Sequence, residues 1–165
     1  MRGCAASLMI KLTRRIDTDQ AVDATLTLPL HSRIKSRQRV RLDDGRDAGL
    51  FLPRGETLKE GDLLASEEGQ VICIKAAEER LSVVACGDSH LLSRACYHLG
   101  NRHVAIQIEA GRISYLHDHV LDEMLRGLGL EVVVRDAPFE PEPGAYGGSA
   151  DQGRQHQGHT HHHAH

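Results

Sequence analysis

The feature that most constrains the fold is the order of secondary-structure patterns between residues 80 and 136. Apolar residues there switch between short strand-like runs and the three- to four-residue spacing of amphipathic helices. In chain order the pattern predicts a strand at 81–86, a helix at 91–99, strands at 104–108 and 113–116, a helix at 120–128 and a strand at 130–134. This order is that of the ferredoxin-like fold. We expect strands 81–86 and 113–116 at the centre of its sheet.

Both predicted helices carry signals at their ends. Asp88 or Ser89 is suited to cap the first helix, and Asp118 the second. Gly100 and Asn101 tolerate the left-handed conformation that often ends a helix, and they are expected to end the first helix. Gly129 is expected to end the second helix in the same way. The apolar face of the second helix is predicted to comprise Val120, Leu121, Met124, Leu125 and Leu128.

The first half of the chain has the alternation of half-buried strands. Residues 22–28 alternate apolar and polar side chains, and the runs 39–42 and 49–52 flank the hairpin turn 43–45. We interpret residues 7–76 as a small all-β barrel or sandwich. The fold class is therefore α+β: an N-terminal β domain at 1–76, a ferredoxin-like domain at 77–142 and a polar tail at 143–165, which buries too little apolar surface to order itself.

Composition excludes several classes of function. The formal net charge is −3 with histidines neutral, and Tyr115 is the only aromatic residue in the two predicted central strands, so nucleic acid is not an expected partner. No apolar run approaches the roughly 18 residues that span a membrane. The four cysteines form no C-x-x-C pair, and three lie in apolar runs, which is typical of reduced thiols in the cytoplasm. Motifs for phosphate loops, dinucleotide binding, zinc hydrolysis and nucleophilic catalysis are absent, so we do not expect an enzyme.

Histidine is the exception in this composition, with 12 residues, six of them in the last ten positions. Neutral imidazole suits nickel, copper and zinc, with little selectivity among them. The alternative interpretation is a purification tag, although Thr160 and Ala164 interrupt the run. The candidate ligands in the tail are His156, His159, His161, His162, His163 and His165.

Three histidines of the folded part are further candidates for metal ligands. His117 and His119 flank Asp118 where the third predicted strand meets the second helix, and they are either ligands or two solvated junction residues. His103 opens the second predicted strand, and by spacing alone a lone histidine there is more often structural than a ligand.

The chain resembles the UreE family of urease accessory proteins, which are nickel metallochaperones. The resemblance covers roughly residues 9–148 and is carried by YHLGNRH at 97–103, DHVLDEML at 118–125 and APFEPEPGAY at 137–146, with agreement at 33–39 and 52–55. A histidine-rich tail is also a trait of that family. One departure is Ala105, where the family pattern has proline.

The resemblance implies roles for particular residues. His103, the last residue of the Gly-Asn-Arg-His motif, is the implied central ligand, and His117 and His119 correspond to a second histidine pair that some members use. It further implies a peptide-binding-like first domain, a homodimer formed through the second domain, and delivery of Ni²⁺ to apo-urease through a maturation GTPase. Zn²⁺ or Cu²⁺ are expected to bind in vitro. The alternative function is a histidine-rich buffer or store of divalent metal.

Overall fold

The computed structural model describes residues 9–144 of the chain. The strands of this region form two sheets, one in each half. The strands of the first sheet are β1 Ile10–Ile16, β2 Ala24–Leu28, β3 Arg37–Arg41, β4 Asp47–Phe51, β5 Leu63–Ser66 and β6 Val71–Ala76. A short helix, α1 Leu30–Arg33, follows β2, so this half is not made of strands alone.

The first sheet is nearly closed into a barrel, as the alternation predicted. Its strand order is β2-β6-β5-β1-β4-β3, which leaves β2 and β3 as its two edges. The edges are joined at Asp43, which follows β3: its amide donates to the Thr25 carbonyl, and its carboxylate accepts from the Thr25 and Thr27 hydroxyls. The predicted hairpin at 43–45 connects β3 and β4 in antiparallel register.

The interior of this barrel is filled by aliphatic side chains on the inward positions of its strands. Leu12, Leu26, Leu50 and Leu64 have no exposed surface. They come from four different strands, because alternate residues of a strand point to the same face. The core of this half is therefore built from aliphatic side chains, in keeping with the low aromatic content of the chain.

The second sheet has the topology of the ferredoxin-like fold. Its strands are β7 Glu78–Ala85, β8 Gln107–Glu109, β9 Arg112–Leu116 and β10 Val133–Pro138, and its helices are α2 Ser89–Gly100 and α3 His119–Gly127. The order is β10-β7-β9-β8 with every pair antiparallel. The prediction of β7 and β9 as the central strands is thus confirmed.

Two predicted strands are wrong in extent. The strand expected at 104–108 is only Gln107–Glu109, because the Val104 amide donates to Leu99 and the Ile106 carbonyl accepts from Glu142, which removes both from pairing with β9. The strand expected at 130–134 begins at Val133, since the preceding residues pack under α3. It then continues to Pro138, which an edge strand tolerates.

The helix ends agree with the sequence in part. Asp88 and Asp118 cap α2 and α3, and Gly129 is left-handed after α3 with φ of 91°. The expected left-handed ending at Gly100 and Asn101 is wrong, because Asn101 is right-handed with φ of −61°. Val120 is also wrongly placed on the apolar face of α3, since 59% of its surface is exposed.

The two halves are joined by the residues that follow β10, which we call the linking segment (residues 139–144). The buried Arg33 guanidinium donates to the carbonyls of Leu28, Leu58 and Phe139, and it lies 3.5 Å from the Glu140 carboxylate. Phe139 is fully buried beside Leu81 and Val83 of β7. The proposed division of the chain at residues 76 and 142 stays a prediction. None of the helices described between residues 9 and 144 has the length and apolar character needed to cross a bilayer.

Candidate metal centre

His103 lies in a tight turn after α2, and not at the start of a strand as its position suggested. The turn is closed by two hydrogen bonds, from the His103 amide to Gly100 at 2.9 Å and from the Val104 amide to Leu99 at 3.2 Å. His103 has φ of 56° and is the only non-glycine residue of the described chain with positive φ. Its side chain is exposed. A left-handed histidine is uncommon, and such residues occur more often at functional sites than elsewhere.

His117 and His119 lie on either side of the cap of α3. The Asp118 carboxylate accepts from the amides of Val120 and Leu121 at 2.8 and 3.2 Å, so it is committed to the helix, as predicted. His117 is the last residue before this cap, and its amide donates to the Arg80 carbonyl on β7. His119 is the first residue of α3 and is exposed. The two histidines therefore belong to different local environments.

The His117 ring is held from beneath by a buried polar cluster. Its Nδ1 lies 3.0 Å from the Ser82 hydroxyl and 3.3 Å from Oδ2 of Asp122. Asp122 is only 2% exposed, and its Oδ1 accepts from the Tyr115 hydroxyl at 2.7 Å. Burial, together with this hydrogen bond to the Asp122 carboxylate, raises the pKa of Tyr115 far above its ordinary value, so Tyr115 remains a donor.

The cluster brings together the three residue types of a serine hydrolase triad without its arrangement. In such a triad the serine and the acid contact opposite ring nitrogens of the histidine. Here Ser82 and Asp122 both approach Nδ1, and Ser82 is completely buried. The cluster therefore lacks both the relay geometry and an accessible nucleophile.

The contact of Ser82, His117 and Asp122 was missed by sequence reasoning. The available signal was the position of Asp122 on α3, one helical turn before the buried Leu125 and one after the Asp118 cap. An acid at that spacing faces the core side of the helix. The other two residues, however, have no local signature, since Ser82 lies on β7 and His117 directly follows β9.

The described residues do not by themselves assemble a metal site. No group of three or more His, Cys, Asp or Glu side chains in residues 9–144 is placed to hold one ion. The six tail histidines lie outside the described residues. His103, His117 and His119 therefore do not form a complete set of metal ligands within residues 9–144.

The linking segment ends close to the His103 turn. The Glu142 amide donates to the Ile106 carbonyl at 2.8 Å, and the Glu140 amide to the Gln107 side chain at 3.0 Å. Ala105 and Gly144 line the same cavity of about 300 Å³ between the two halves. The chain therefore leaves the described region beside the turn that carries His103, and the tail histidines follow from there in sequence.

The three cysteines that the structure describes belong to no group of side chains placed to hold a metal ion. Cys73, Cys86 and Cys96 are half-buried thiols without disulfide partners among residues 9–144. Burial raises the pKa of Cys96, which disfavours the thiolate that metals bind. Cys86 and Cys96 pack against the core of the second half, as their apolar runs predicted, whereas Cys73 is half-buried outside the apolar clusters and Cys4 lies outside the described residues.

Comparisons with known proteins agree over both halves of the chain. Residues 9–77 match the family model of the UreE urease accessory protein N-terminal domain, and residues 79–165 match that of the C-terminal domain. A urease accessory protein UreE from Pseudomonas putida (strain W619) is 61% identical over 139 residues, covering 84% of this chain and 86% of the relative. The UreE from Citrobacter koseri is 55% identical over 158 residues, covering 95% of this chain and all of the relative.

Proposed function

The chain belongs to the UreE urease accessory protein family, and from that premise we propose that it binds Ni²⁺ and delivers it to apo-urease during assembly of the urease metallocentre. In this role nickel is cargo, and the protein is an accessory factor rather than an enzyme. The family assignment supports a part in urease maturation. The nickel chemistry is supported by the histidines described above.

The observation that carries the proposal is the conformation of His103. The left-handed backbone costs about 1–2 kcal/mol for a residue with a Cβ atom. Glycine or asparagine would relieve that cost, yet an exposed imidazole stands at the outer end of the turn. Because strained backbone conformations are concentrated at functional sites, an exposed imidazole in this conformation is well suited to be a metal ligand.

A dimer would convert this single ligand into a pair. In a two-fold assembly a residue near the axis occurs twice, so two His103 imidazoles can share one ion. We propose that the dimer forms through the second domain. Tyr97 and Val120, at 66% and 59% exposed, are large apolar side chains on the helices next to the His103 turn and the His117 junction.

Two imidazoles leave the coordination of the ion incomplete, which suits transfer. We propose that His117, His119 and the tail histidines His156, His159, His161, His162, His163 and His165 supply further ligands. A closed four-ligand site is typical of structural metals, whereas an open one lets a receiver exchange ligands stepwise. Zn²⁺ and Cu²⁺ should compete in vitro, because imidazole chemistry does not select nickel.

The proposed receivers are the urease maturation GTPase and the apo-urease complex. The free thiols among the described residues support a reducing, cytoplasmic setting. Neither a nucleic acid nor a membrane is part of the proposal.

The test is nickel-dependent activation of apo-urease by the full-length chain and its His103→Ala variant. We expect His103→Ala to abolish one tightly bound nickel per dimer and to reduce activation at limiting nickel. His31→Ala, which removes an exposed imidazole from α1 in the first domain, is the matched control and should behave as the parent chain. Unchanged activation by His103→Ala at limiting nickel would contradict the assigned role.

A truncated variant that ends at Gly148 distinguishes nickel delivery from the alternative function, a histidine-rich metal buffer. If removal of the tail abolishes tight nickel binding but leaves urease activation intact, the tail functions mainly as a metal buffer. If one nickel per dimer survives the truncation and is lost with His103→Ala, the transferred ion belongs to the folded domain.

A further inference from the structure

The environment of His117 distinguishes its two ring nitrogens. Nδ1 faces the protein, where Ser82 Oγ lies at 3.0 Å and Asp122 Oδ2 at 3.3 Å. The side chain is 31% exposed, so part of the ring reaches solvent while Asp122 beneath it is 2% exposed. With Nδ1 engaged by these partners, Nε2 is the nitrogen left to meet an ion.

The proton on this ring is assigned by the chemistry of its neighbours. A carboxylate oxygen can only accept hydrogen bonds. The Tyr115 hydroxyl already satisfies Oδ1 of Asp122, while Oδ2 faces Nδ1 and has Arg126 only at 4.0 Å. If Nδ1 carried no proton, its lone pair would face that carboxylate in a buried setting, which is unfavourable. The Ser82 hydroxyl can donate or accept, whereas the Asp122 carboxylate can only accept, so the pair favours a neutral ring with the proton on Nδ1 and the lone pair on Nε2.

We propose that Asp122 is a positioning residue that acts through His117. Together with Ser82 it holds the His117 ring as the Nδ1–H tautomer, so that Nε2 is directed to the metal ion. The inference rests on the proposed function, since it takes His117 as one of the nickel ligands. A carboxylate behind a histidine ligand fixes the orientation of the ring and increases its basicity. Within residues 9–144 no carboxylate contacts the His119 ring, so we expect His117 to be the stronger ligand of the pair.

The first measurement needs no change at Asp122. The ¹⁵N resonances of the imidazoles are recorded at pH 8 on metal-free, full-length protein in which the six tail histidines are replaced by serine. Comparison with the His117→Ala version of that chain assigns the His117 signals. We expect a protonated Nδ1 and an unprotonated Nε2. An Nε2–H tautomer overturns the proposal.

The second measurement is a double-mutant cycle on nickel affinity in the same full-length background. Asp122→Asn should weaken the affinity of the site that contains His117 by about 10- to 100-fold. Glu123→Gln is the matched control, because it removes the same charge from the next, exposed residue of α3. It should leave affinity unchanged.

The cycle also separates positioning from a general effect on the fold. In the His117→Ala background, Asp122→Asn should have no further effect on nickel affinity. An equal loss in that background means that Asp122 acts through the fold, which overturns the proposal. If His117→Ala alone leaves nickel binding unchanged, His117 is not a ligand and the inference is wrong. The proposed delivery of nickel through His103 is tested separately by the His103→Ala variant.

Discussion

At the scale of single residues, the left-handed backbone of His103 predicts that a substitution there affects nickel binding and folding stability differently. Because glycine adopts positive φ without steric cost, His103→Gly should leave the free energy of unfolding unchanged or raise it by up to about 1 kcal/mol. The same variant should lose the tight nickel site. The measurements are urea unfolding followed by circular dichroism and calorimetric nickel titration.

The matched control for this prediction is His98→Gly, which makes the same change in the last turn of α2. Glycine within a helix is destabilising by up to about 1 kcal/mol, so the two variants should differ in the sign of their effect on the free energy of unfolding. Equal destabilisation would show that the turn at His103 depends on contacts of the imidazole, and the argument from strain would then be wrong.

Residue-scale prediction from the sequence succeeded where the cause was local. The caps at Asp88 and Asp118 depend on a side chain and the amides two and three positions ahead, and both are found. The role of Asp122 depends on Tyr115 and Ser82, and Ser82 is separated from His117 by 35 positions along the chain. Periodicity indicates which face of a helix is buried, but it does not identify what lies opposite.

At the scale of elements, the order of strands and helices followed from periodicity, whereas the strand ends did not. The short β8 and the late start of β10 both result from backbone groups that bond outside the sheet. The residues involved are apolar and extended, so their pattern is that of a strand. The partners of the residues before β8 come from the end of α2 and from the linking segment, and Leu130, before β10, donates to Leu125 of α3.

The closure of the barrel at Asp43 predicts a dependence of stability on pH. Burial opposes ionisation of this side chain, but hydrogen bonds from Thr25 and Thr27 outweigh it and lower the pKa of Asp43 below 3.8. A lowered pKa in the folded state stabilises the protein above the unfolded value, and this contribution is lost as pH falls through the folded value.

Asp43→Asn should therefore reduce the free energy of unfolding at pH 6 by about 1 kcal/mol, a figure discounted for the exposure of the group. The difference from the parent chain should shrink as the pH is lowered well below 3.8, through the lowered pKa of Asp43 in the folded state. Urea unfolding at both pH values measures it. Asp44→Asn, in the same turn but without contacts to β2, is the control and should show no loss of barrel stability.

At the scale of the whole molecule, the two halves have separate cores joined by a small third cluster. Phe139 lies in that cluster with Leu81 and Val83 of β7, and Leu30 of the first half packs against it. Each core belongs to a unit of fewer than about 80 residues, a size at which stability is marginal. The structure therefore predicts that contacts across the junction make the two halves unfold together.

Phe139→Ala tests this coupling, because it removes the fully buried ring and leaves both main cores untouched. We expect a loss of about 3–5 kcal/mol and two separate transitions in a calorimetric scan, with the van't Hoff enthalpy below the calorimetric one. Phe51→Ala is the control, since that ring is 40% exposed on the first sheet, and it should lower stability slightly without splitting the transition. A single two-state transition for Phe139→Ala would mean that the Arg33 contacts to the Phe139 carbonyl and to Glu140 suffice to hold the halves together.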